Sequence, residues 1–250
     1  MTIPFEPSLF GVNINIHLIL EYAAFFIAFR YYVFLRKKSN DVISQNNRLS
    51  IILGAAIGAL LGSRVMGFLE NPLVDVSDAS LITLLNTKTI MGGLFGGLMG
   101  VELTKKIIGE KHSSGDLFTL PIIVGIFIGR IGCFLSGTNE FTYGVVTDSF
   151  LGMDLGDGQK RHPLALYELV FLLVLFFGLR KVYQSGNYVL GDVFKYFMIL
   201  YFGFRFFMEF LKPNVFYIVG LSSIQILCLI CLLYYHKTIL KFFRNAGQKI

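Results

Sequence analysis

Three arginines stand inside long apolar stretches of the sequence, where a charged side chain needs a partner or a function. They are Arg64 in "GALLGSRVMG", Arg130 in "IFIGRIGCFLSG" and Arg205 in "YFGFRFFMEF". A guanidinium is planar and presents paired N–H donors, a geometry that suits bidentate binding of a phosphate. The residue types therefore indicate an anion, and a phosphate in particular, as the candidate ligand.

Arg205 has polar neighbours at helical spacing, with Tyr201 four residues before it and Glu209 four residues after it. Residues four apart lie on one face of a helix. Arg205 and Glu209 are thus expected either to form an ion pair within one helix or to share a ligand. For each arginine alone a structural role stays open, since a long side chain near a membrane surface can snorkel to water. Three of them at one depth favour a shared function.

The composition places these arginines in a membrane protein. The chain has 250 residues, of which 54% are hydrophobic and 15% charged, and its mean hydropathy is +0.66. A bilayer core of about 30 Å is crossed by roughly 20 mostly apolar helical residues. The sequence predicts an all-α, multi-pass membrane protein with a single domain over residues 1–250. Its seven predicted spans are residues 14–35, 50–69, 90–108, 117–136, 163–182, 192–211 and 216–236.

Basic residues set the predicted orientation of the spans. The connections after spans 1, 3 and 5 and the C-terminal segment hold most of the basic residues outside the spans, and the opposite connections hold few. Because basic residues concentrate on the cytoplasmic side, the C-terminus is predicted in the cytoplasm and the N-terminus outside. The net charge of +6 then reflects topology and contact with anionic lipids, and no nucleic-acid partner is predicted.

This orientation brings the three arginines to one level. Each lies about five to six residues from the outer end of its span, or roughly 8–9 Å at about 1.5 Å per residue. Only Glu21 and Glu209 are counted as carboxylates available to pair with them there. The layer is therefore predicted to carry surplus positive charge, and a phospholipid headgroup in the outer leaflet would supply the phosphate.

The glycines and cysteines carry less specific signals. Gly54, Gly58 and Gly62 recur every four residues, a spacing common in ordinary helix pairing. Cys228 and Cys231 form an isolated C-x-x-C within an apolar span, for which packing is the preferred interpretation. No metal and no cofactor are predicted.

Several motifs, in the same order, resemble the prolipoprotein diacylglyceryl transferase family. "GRIGCFLSG" is similar to the family's Gly-Arg-x-Gly-Asn-Phe signature, and "RHPLALYE" to its Arg-His-Pro-x-x-Leu-Tyr-Glu. "YFGFRFFMEF" keeps the family's tyrosine, arginine and glutamate at four-residue steps. The similar blocks, with two glycine-rich ones added, are residues 58–64, 92–97, 129–137, 161–168 and 201–210.

The resemblance implies a transfer reaction at the outer surface of the bacterial cytoplasmic (inner) membrane. The family moves the diacylglyceryl group of phosphatidylglycerol onto the lipobox cysteine thiol of a lipoprotein precursor. The reaction forms a thioether and releases glycerol phosphate. The implied partners are phosphatidylglycerol, the signal peptide of the precursor and the surrounding membrane lipids.

The resemblance also implies roles for individual residues. Arg130 and Arg205 would hold the phosphate, Glu209 would orient Arg205, and Tyr201 would donate a hydrogen bond nearby. His162 completes the predicted catalytic set. The predicted substrate-binding residues are Arg64, Gly92, Gly93, Gly129 and Arg161.

Departures from the family pattern leave the proton acceptor open. Met91 stands where the family usually carries a histidine, and Cys133 stands where it carries an asparagine. A methionine cannot accept a proton, so His162 or Glu209 is considered as the base instead. His162 has the alternative role of tying the preceding loop to a helix start. Tyr167 and Glu168 could take part in the site, but they are equally consistent with packing and hydrogen bonding within the helix bundle.

Two other classes of function remain as alternatives. One is a non-catalytic or differently specific relative that binds a phospholipid and acts on another acceptor, which Met91 favours. The other is a transporter or channel, which the lack of an inverted repeat disfavours. Between spans 4 and 5, residues 137–162 are predicted to form an external segment, either an ordered or mobile cover over the substrate entrance or a solvated connector.

Overall fold

The computed structural model describes residues 3–9, 11–39, 41–70, 87–214 and 220–247. Within these ranges the chain forms eight α-helices and two short β-hairpins. The helices are α1 Ile16–Lys38, α2 Gln45–Glu70, α3 Ile90–Ile108, α4 Asp116–Ser136, α5 Leu164–Ser185, α6 Asp192–Met208, α7 Ser223–Tyr234 and α8 His236–Gly247. The hairpins pair β1 Ser8–Leu9 with β2 Val12–Asn13, and β3 Met153–Asp154 with β4 Lys160–Arg161.

The all-α prediction is confirmed, and each predicted span overlaps at least one helix. The third span agrees residue for residue with α3, while the first lies two to three residues before α1. The seventh begins in residues 215–219, which lie outside the described residues, and continues in α7. Three of the described helical segments are long and apolar enough to cross a bilayer: α1, α2 and residues 116–139, which include α4.

The chain divides into two compact units. The first is drawn from residues 1–40, 114–197 and 210–213. In it α4 packs against both α1 and α5, and Tyr32 of α1 stacks on Phe118 of α4 with ring centroids 4.4 Å apart. The start of α4 is held by the Asp116 carboxylate, which accepts hydrogen bonds from the backbone N–H groups of Gly191 and Phe194.

The second unit is drawn from residues 41–113, 198–209 and 214–250. Its main contact joins α2 and α3, and α7 packs against both. Glycines face each other across α2 and α3, as Gly58 faces Gly96 and Gly62 faces Gly92. A Cβ on Gly58 would overlap the Gly96 carbonyl oxygen, so the two backbones approach as closely as only glycine permits.

The segment between α4 and α5 is ordered and belongs to the first unit. After α4 the chain forms a 3-10 turn at Gly137–Asn139 and then the β3–β4 hairpin. The Asp154 carboxylate accepts hydrogen bonds from the backbone N–H groups of Gly156 and Gly158, at 2.8 and 3.0 Å. Residues 137–162 are therefore ordered, and their predicted role as a cover over the substrate entrance stays a prediction.

Candidate functional site

Arg130 lies in a buried polar cluster built from α1, α4, α5 and the turn after α4. Its Nε lies 2.8 Å from Oε1 of Glu168 on α5. Its Nη1 donates towards Sγ of Cys133, one helical turn further along α4, at 3.6 Å. That sulfur lies 3.7 Å from Nε2 of His17 on α1, and His17 Nδ1 lies 3.0 Å from Oε1 of Glu140. The five side chains thus form one continuous chain of polar contacts.

Gly132 permits this cluster to form. A Cβ at Gly132 would lie 2.9 Å from Cδ2 of His17 and 3.4 Å from Cβ of Leu20, both on α1. The glycine therefore lets α1 approach α4 where His17 meets Cys133. At Gly129, by contrast, an added Cβ would have no described atom within 4 Å, so that position has open space on its helix face.

The charge balance around Arg130 differs from the prediction. The prediction that only Glu21 and Glu209 are available to pair with the arginines is wrong, because Glu168 pairs with Arg130. Arg130 is 7% exposed and Glu168 1% exposed, so the ion pair is buried and the guanidinium plane is held by a carboxylate. The pairing joins two helices, and spacing along one helix gives no sign of it.

Arg161 and His162 lie at the end of the external segment. Nε of Arg161 donates to Oδ2 of Asp157 at 2.7 Å, and this hydrogen bond lowers the pKa of the Asp157 carboxyl below its usual value. The Arg161 guanidinium also lies 5.0 Å from the centre of the Tyr143 ring. His162 contacts α5, since its Nδ1 lies 3.0 Å from the hydroxyl of Tyr167. The structure thus places His162 as a tie between loop and helix, while its predicted role as a base stays a prediction.

Arg205 and Glu209 pair within the second unit. Nη2 of Arg205 donates to Oε1 of Glu209 at 2.8 Å, which is the ion pair, one of the two arrangements considered for this four-residue spacing. Glu209 is almost fully buried, and Nδ2 of Asn214 donates to its Oε2 and to its backbone carbonyl, at 3.0 and 3.1 Å. Tyr201 is fully buried on the same helix. Asn214 is a partner that the sequence did not indicate.

Arg64 and the glycine block occupy the α2–α3 end of the second unit. Nη1 of Arg64 donates to the backbone carbonyl of Thr87 at 3.0 Å. Gly92 packs against Gly62 and Met66, while Gly93 has only loose neighbours, with Cβ of Ser63 3.7 Å from an added methyl. Met91, in place of the family histidine, is 2% exposed.

The remaining predictions concern cysteines and metals. Cys228 and Cys231 are buried free thiols, as the packing interpretation predicts. Among the described residues no group of three or more His, Cys, Asp or Glu side chains is placed to hold a metal ion. In the first unit a small pocket of about 10 Å³ borders Cys133, Tyr143, Leu155 and Pro163.

Comparison with known proteins places the chain in a family. The sequence model of the prolipoprotein diacylglyceryl transferase family matches residues 7–240. The similar proteins include three named phosphatidylglycerol–prolipoprotein diacylglyceryl transferase. The one from Campylobacter hominis is 28% identical over 267 residues, covering 97% of this chain and 92% of the relative.

The relative from Finegoldia magna is 29% identical over 224 residues, covering 88% of this chain and 87% of its own. The relative from Nitratidesulfovibrio vulgaris is 33% identical over 177 residues, covering 67% of this chain and 62% of the relative. With a family match that spans almost the whole sequence, this chain belongs to the prolipoprotein diacylglyceryl transferase family.

Proposed function

We propose that this chain transfers the diacylglyceryl group of phosphatidylglycerol to the lipobox cysteine thiol of lipoprotein precursors. The family match over residues 7–240 carries this proposal. The names of the relatives give the donor lipid and the acceptor protein. The buried Arg130–Glu168 pair adds a guanidinium held in a fixed orientation at a motif that resembles the family signature.

The proposed transfer reaction has three parts. The acceptor sulfur loses its proton and attacks the glyceryl carbon, the carbon–oxygen bond to phosphate breaks, and glycerol phosphate leaves with the bonding electrons. Negative charge grows on the phosphate oxygens, and a preorganised guanidinium stabilises that charge without having to reorient. We assign this role to Arg130, positioned by Glu168, and to Arg205, positioned by Glu209.

The other site assignments follow from the family resemblance. Tyr201 and His162 complete the catalytic set, with Tyr201 as a hydrogen-bond donor. Residues proposed to bind the substrates are Arg64, Gly92, Gly93, Gly129 and Arg161. The open face of Gly129 and the loose surroundings of Gly93 support these two positions, since each leaves room beside the backbone.

We place the protein in the bacterial cytoplasmic (inner) membrane as a multi-pass enzyme. The apolar helices support a membrane location, and the distribution of basic residues supports seven spans with an outside N-terminus and a cytoplasmic C-terminus. In this proposal residues 1–250 act as one membrane domain. Membrane lipids surround it, and the donor lipid enters from the outer leaflet.

Met91 raises the alternative of a non-catalytic relative, and the comparisons favour the transferase. The relatives named above all carry the transferase name. A buried methionine at position 91 excludes that side chain as a base, but it leaves the phosphate-binding residues unchanged. The question is therefore which other side chain accepts the thiol proton.

The test is a transfer assay in which purified protein is incubated with labelled phosphatidylglycerol and a lipobox peptide. It measures the release of glycerol phosphate together with the lipidation of the peptide. Arg130→Lys keeps the positive charge but loses the planar donor pair, so we expect kcat/KM to fall about 10²- to 10³-fold. Arg30→Lys is the matched control, because Arg30 is exposed on α1, and its rate should stay unchanged.

Two outcomes would contradict the proposal. Full activity in Arg130→Lys would remove Arg130 from the reaction. Absence of transfer in the unmodified protein, with transfer appearing in Met91→His, would favour the non-catalytic relative.

A further inference from the structure

The two ring nitrogens of His17 contact different groups: a carboxylate lies beside one and a thiol beside the other. Its Nδ1 lies 3.0 Å from Oε1 of Glu140, and its Nε2 lies 3.7 Å from Sγ of Cys133. When Nδ1 donates its proton to a carboxylate, Nε2 carries the lone pair that accepts a proton. The carboxylate also stabilises the imidazolium that results. His17 is therefore arranged to accept a proton from a sulfur.

The charged groups near this nitrogen come from α4, α5 and the turn after α4. Nη1 of Arg130 on α4 lies 3.6 Å from Sγ of Cys133. The carboxylate of Glu168 on α5 forms an ion pair with Arg130 at 2.8 Å and neutralises its charge. Glu140, from the turn after α4, balances the positive charge that His17 gains on accepting a proton. The His17 side chain is 16% exposed, so it is shielded from water but not sealed.

His17 also lies close to the guanidinium assigned to the phosphate. Cys133 separates the two, with its sulfur 3.6 Å from Arg130 and 3.7 Å from His17. The acceptor thiol must lose its proton close to the glyceryl carbon that it attacks, and that carbon is bonded to the phosphate through oxygen. A base beside the phosphate-binding arginine meets this geometric demand.

We propose that His17 is the base that accepts the proton of the lipobox thiol, with Glu140 as its positioning residue. This inference rests on the proposed transfer function. The proton moves from the acceptor sulfur to Nε2 of His17, the sulfur forms its bond to the glyceryl carbon, and the phosphate takes the electrons of the broken carbon–oxygen bond. His17 thus supplies the proton acceptor that Met91 cannot be.

Cys133 provides a direct measure of this property, because it is a thiol already in contact with Nε2. The thiolate is the form that reacts with alkylating reagents. If His17 accepts protons from sulfur, it also promotes alkylation of Cys133. Cys133 is 8% exposed, whereas Cys228 and Cys231 are 0% exposed, so of the three native thiols it is the one open to a small reagent. The measurement needs neither lipid nor peptide substrate.

The first experiment measures the alkylation rate of Cys133 by iodoacetamide in the full-length protein, by mass spectrometry of the peptide that contains it. We expect His17→Gln to slow the reaction about tenfold, since less thiolate is present. The buried Cys228 and Cys231 are internal controls for folding, because they stay protected only in the native protein. An unchanged rate at Cys133 in His17→Gln would overturn the proposal.

The chain offers a matched control at His112. Its Nδ1 lies 2.7 Å from Oε1 of Glu110, so it repeats the histidine–carboxylate pair, but its side chain is 59% exposed. His112→Gln is therefore expected to leave the alkylation of Cys133 unchanged. Glu140→Gln keeps a hydrogen-bonding group without the charge, and we expect it to slow alkylation as His17→Gln does.

The second experiment measures transfer to the lipobox peptide as a function of pH. We expect His17→Gln to lower kcat/KM about 10²-fold or more at neutral pH. This defect should shrink as the pH rises, because the acceptor thiol then ionises without help. A structural defect would not shrink in this way, and wild-type transfer by His17→Gln at neutral pH would overturn the proposal.

The two experiments separate failure of the inference from failure of the proposed function. Alkylation that depends on His17, without transfer by the unmodified protein, would refute the transferase and support His17 as a base for thiols. Transfer by the unmodified protein with alkylation independent of His17 would support the transferase and refute this role of His17.

Discussion

At the scale of single residues, burying the Arg130–Glu168 ion pair costs free energy of folding, and the same pair holds a guanidinium where an anion can bind. Both side chains are buried, and moving two charges out of water costs several kcal/mol for each ion. Their attraction offsets this cost only while both partners are present. A buried ion pair is therefore weak evidence for stability, and it fits a guanidinium held ready for an anion.

Replacing one or both partners separates these two effects. Glu168→Leu leaves Arg130 charged and buried, so we expect a loss of about 3–5 kcal/mol in the free energy of unfolding. The double variant Arg130→Met/Glu168→Leu removes both charges, and its stability should return close to that of the unmodified protein while transfer stays abolished. Thermal unfolding in detergent and the transfer assay measure the two quantities.

The single variant Arg130→Met is the companion to this comparison. It leaves Glu168 buried without its guanidinium and should also unfold at lower temperature. A double variant that transfers at the unmodified rate would contradict the role given to Arg130.

At the scale of elements, the α2–α3 contact depends on glycine at particular positions. A Cβ at Gly96 would overlap the carbonyl oxygen of Gly58 and lie 2.9 Å from Cα of Gly62. Because these are backbone atoms, only separation of the helices can relieve the overlap. Gly97, the next residue, faces Ala55 and Ala59 at ordinary contact distances of 3.5 and 3.6 Å.

Two neighbouring substitutions therefore have opposite expected effects. Gly96→Ala should destabilise the protein by about 1–3 kcal/mol, as overpacking does. Gly97→Ala should be neutral or stabilise the helix by up to about 1 kcal/mol, through its higher helix propensity. Thermal unfolding of both variants in the same detergent measures the difference, and equal loss of stability would contradict the helix contact described here.

At the scale of the whole molecule, the distribution of basic residues predicts on which side of the membrane each connection lies. Asp148 is exposed in the segment between α4 and α5, and Lys111 is exposed between α3 and α4. The predicted orientation puts Asp148 outside and Lys111 in the cytoplasm. Cys228 and Cys231 are fully buried and Cys133 is 8% exposed, so an exposed cysteine introduced at either position should react faster than the native thiols.

Labelling with a membrane-impermeant thiol reagent tests this orientation. In cells stripped of any outer membrane, Asp148→Cys should react before lysis and Lys111→Cys only after it. The unmodified protein controls for reaction at the native cysteines. The reverse pattern would overturn the orientation and, with it, the outer-leaflet position of the site.

Properties that depend on local spacing or on composition were readable from the sequence. Hydropathy located α1 to α6 to within five residues at each end, because about 20 consecutive apolar residues mark a helix of membrane length. The seventh predicted span begins at residue 216 whereas α7 begins at Ser223, and α8 was not predicted. The four-residue spacing predicted that Arg205 and Glu209 would lie together, as an ion pair or around a shared ligand, and the structure has the ion pair at 2.8 Å. The family resemblance came from motifs within single segments.

Contacts between segments depended on the tertiary structure. Glu168 reaches Arg130 from another helix, and His17 reaches Cys133 across 116 residues of sequence. Helical periodicity relates residues three and four apart, but it does not determine which face of one helix packs on which face of another. The partners of Arg130 and His17 were therefore decided by packing, with Gly132 allowing α1 to approach α4 closely enough for His17 to meet the sulfur.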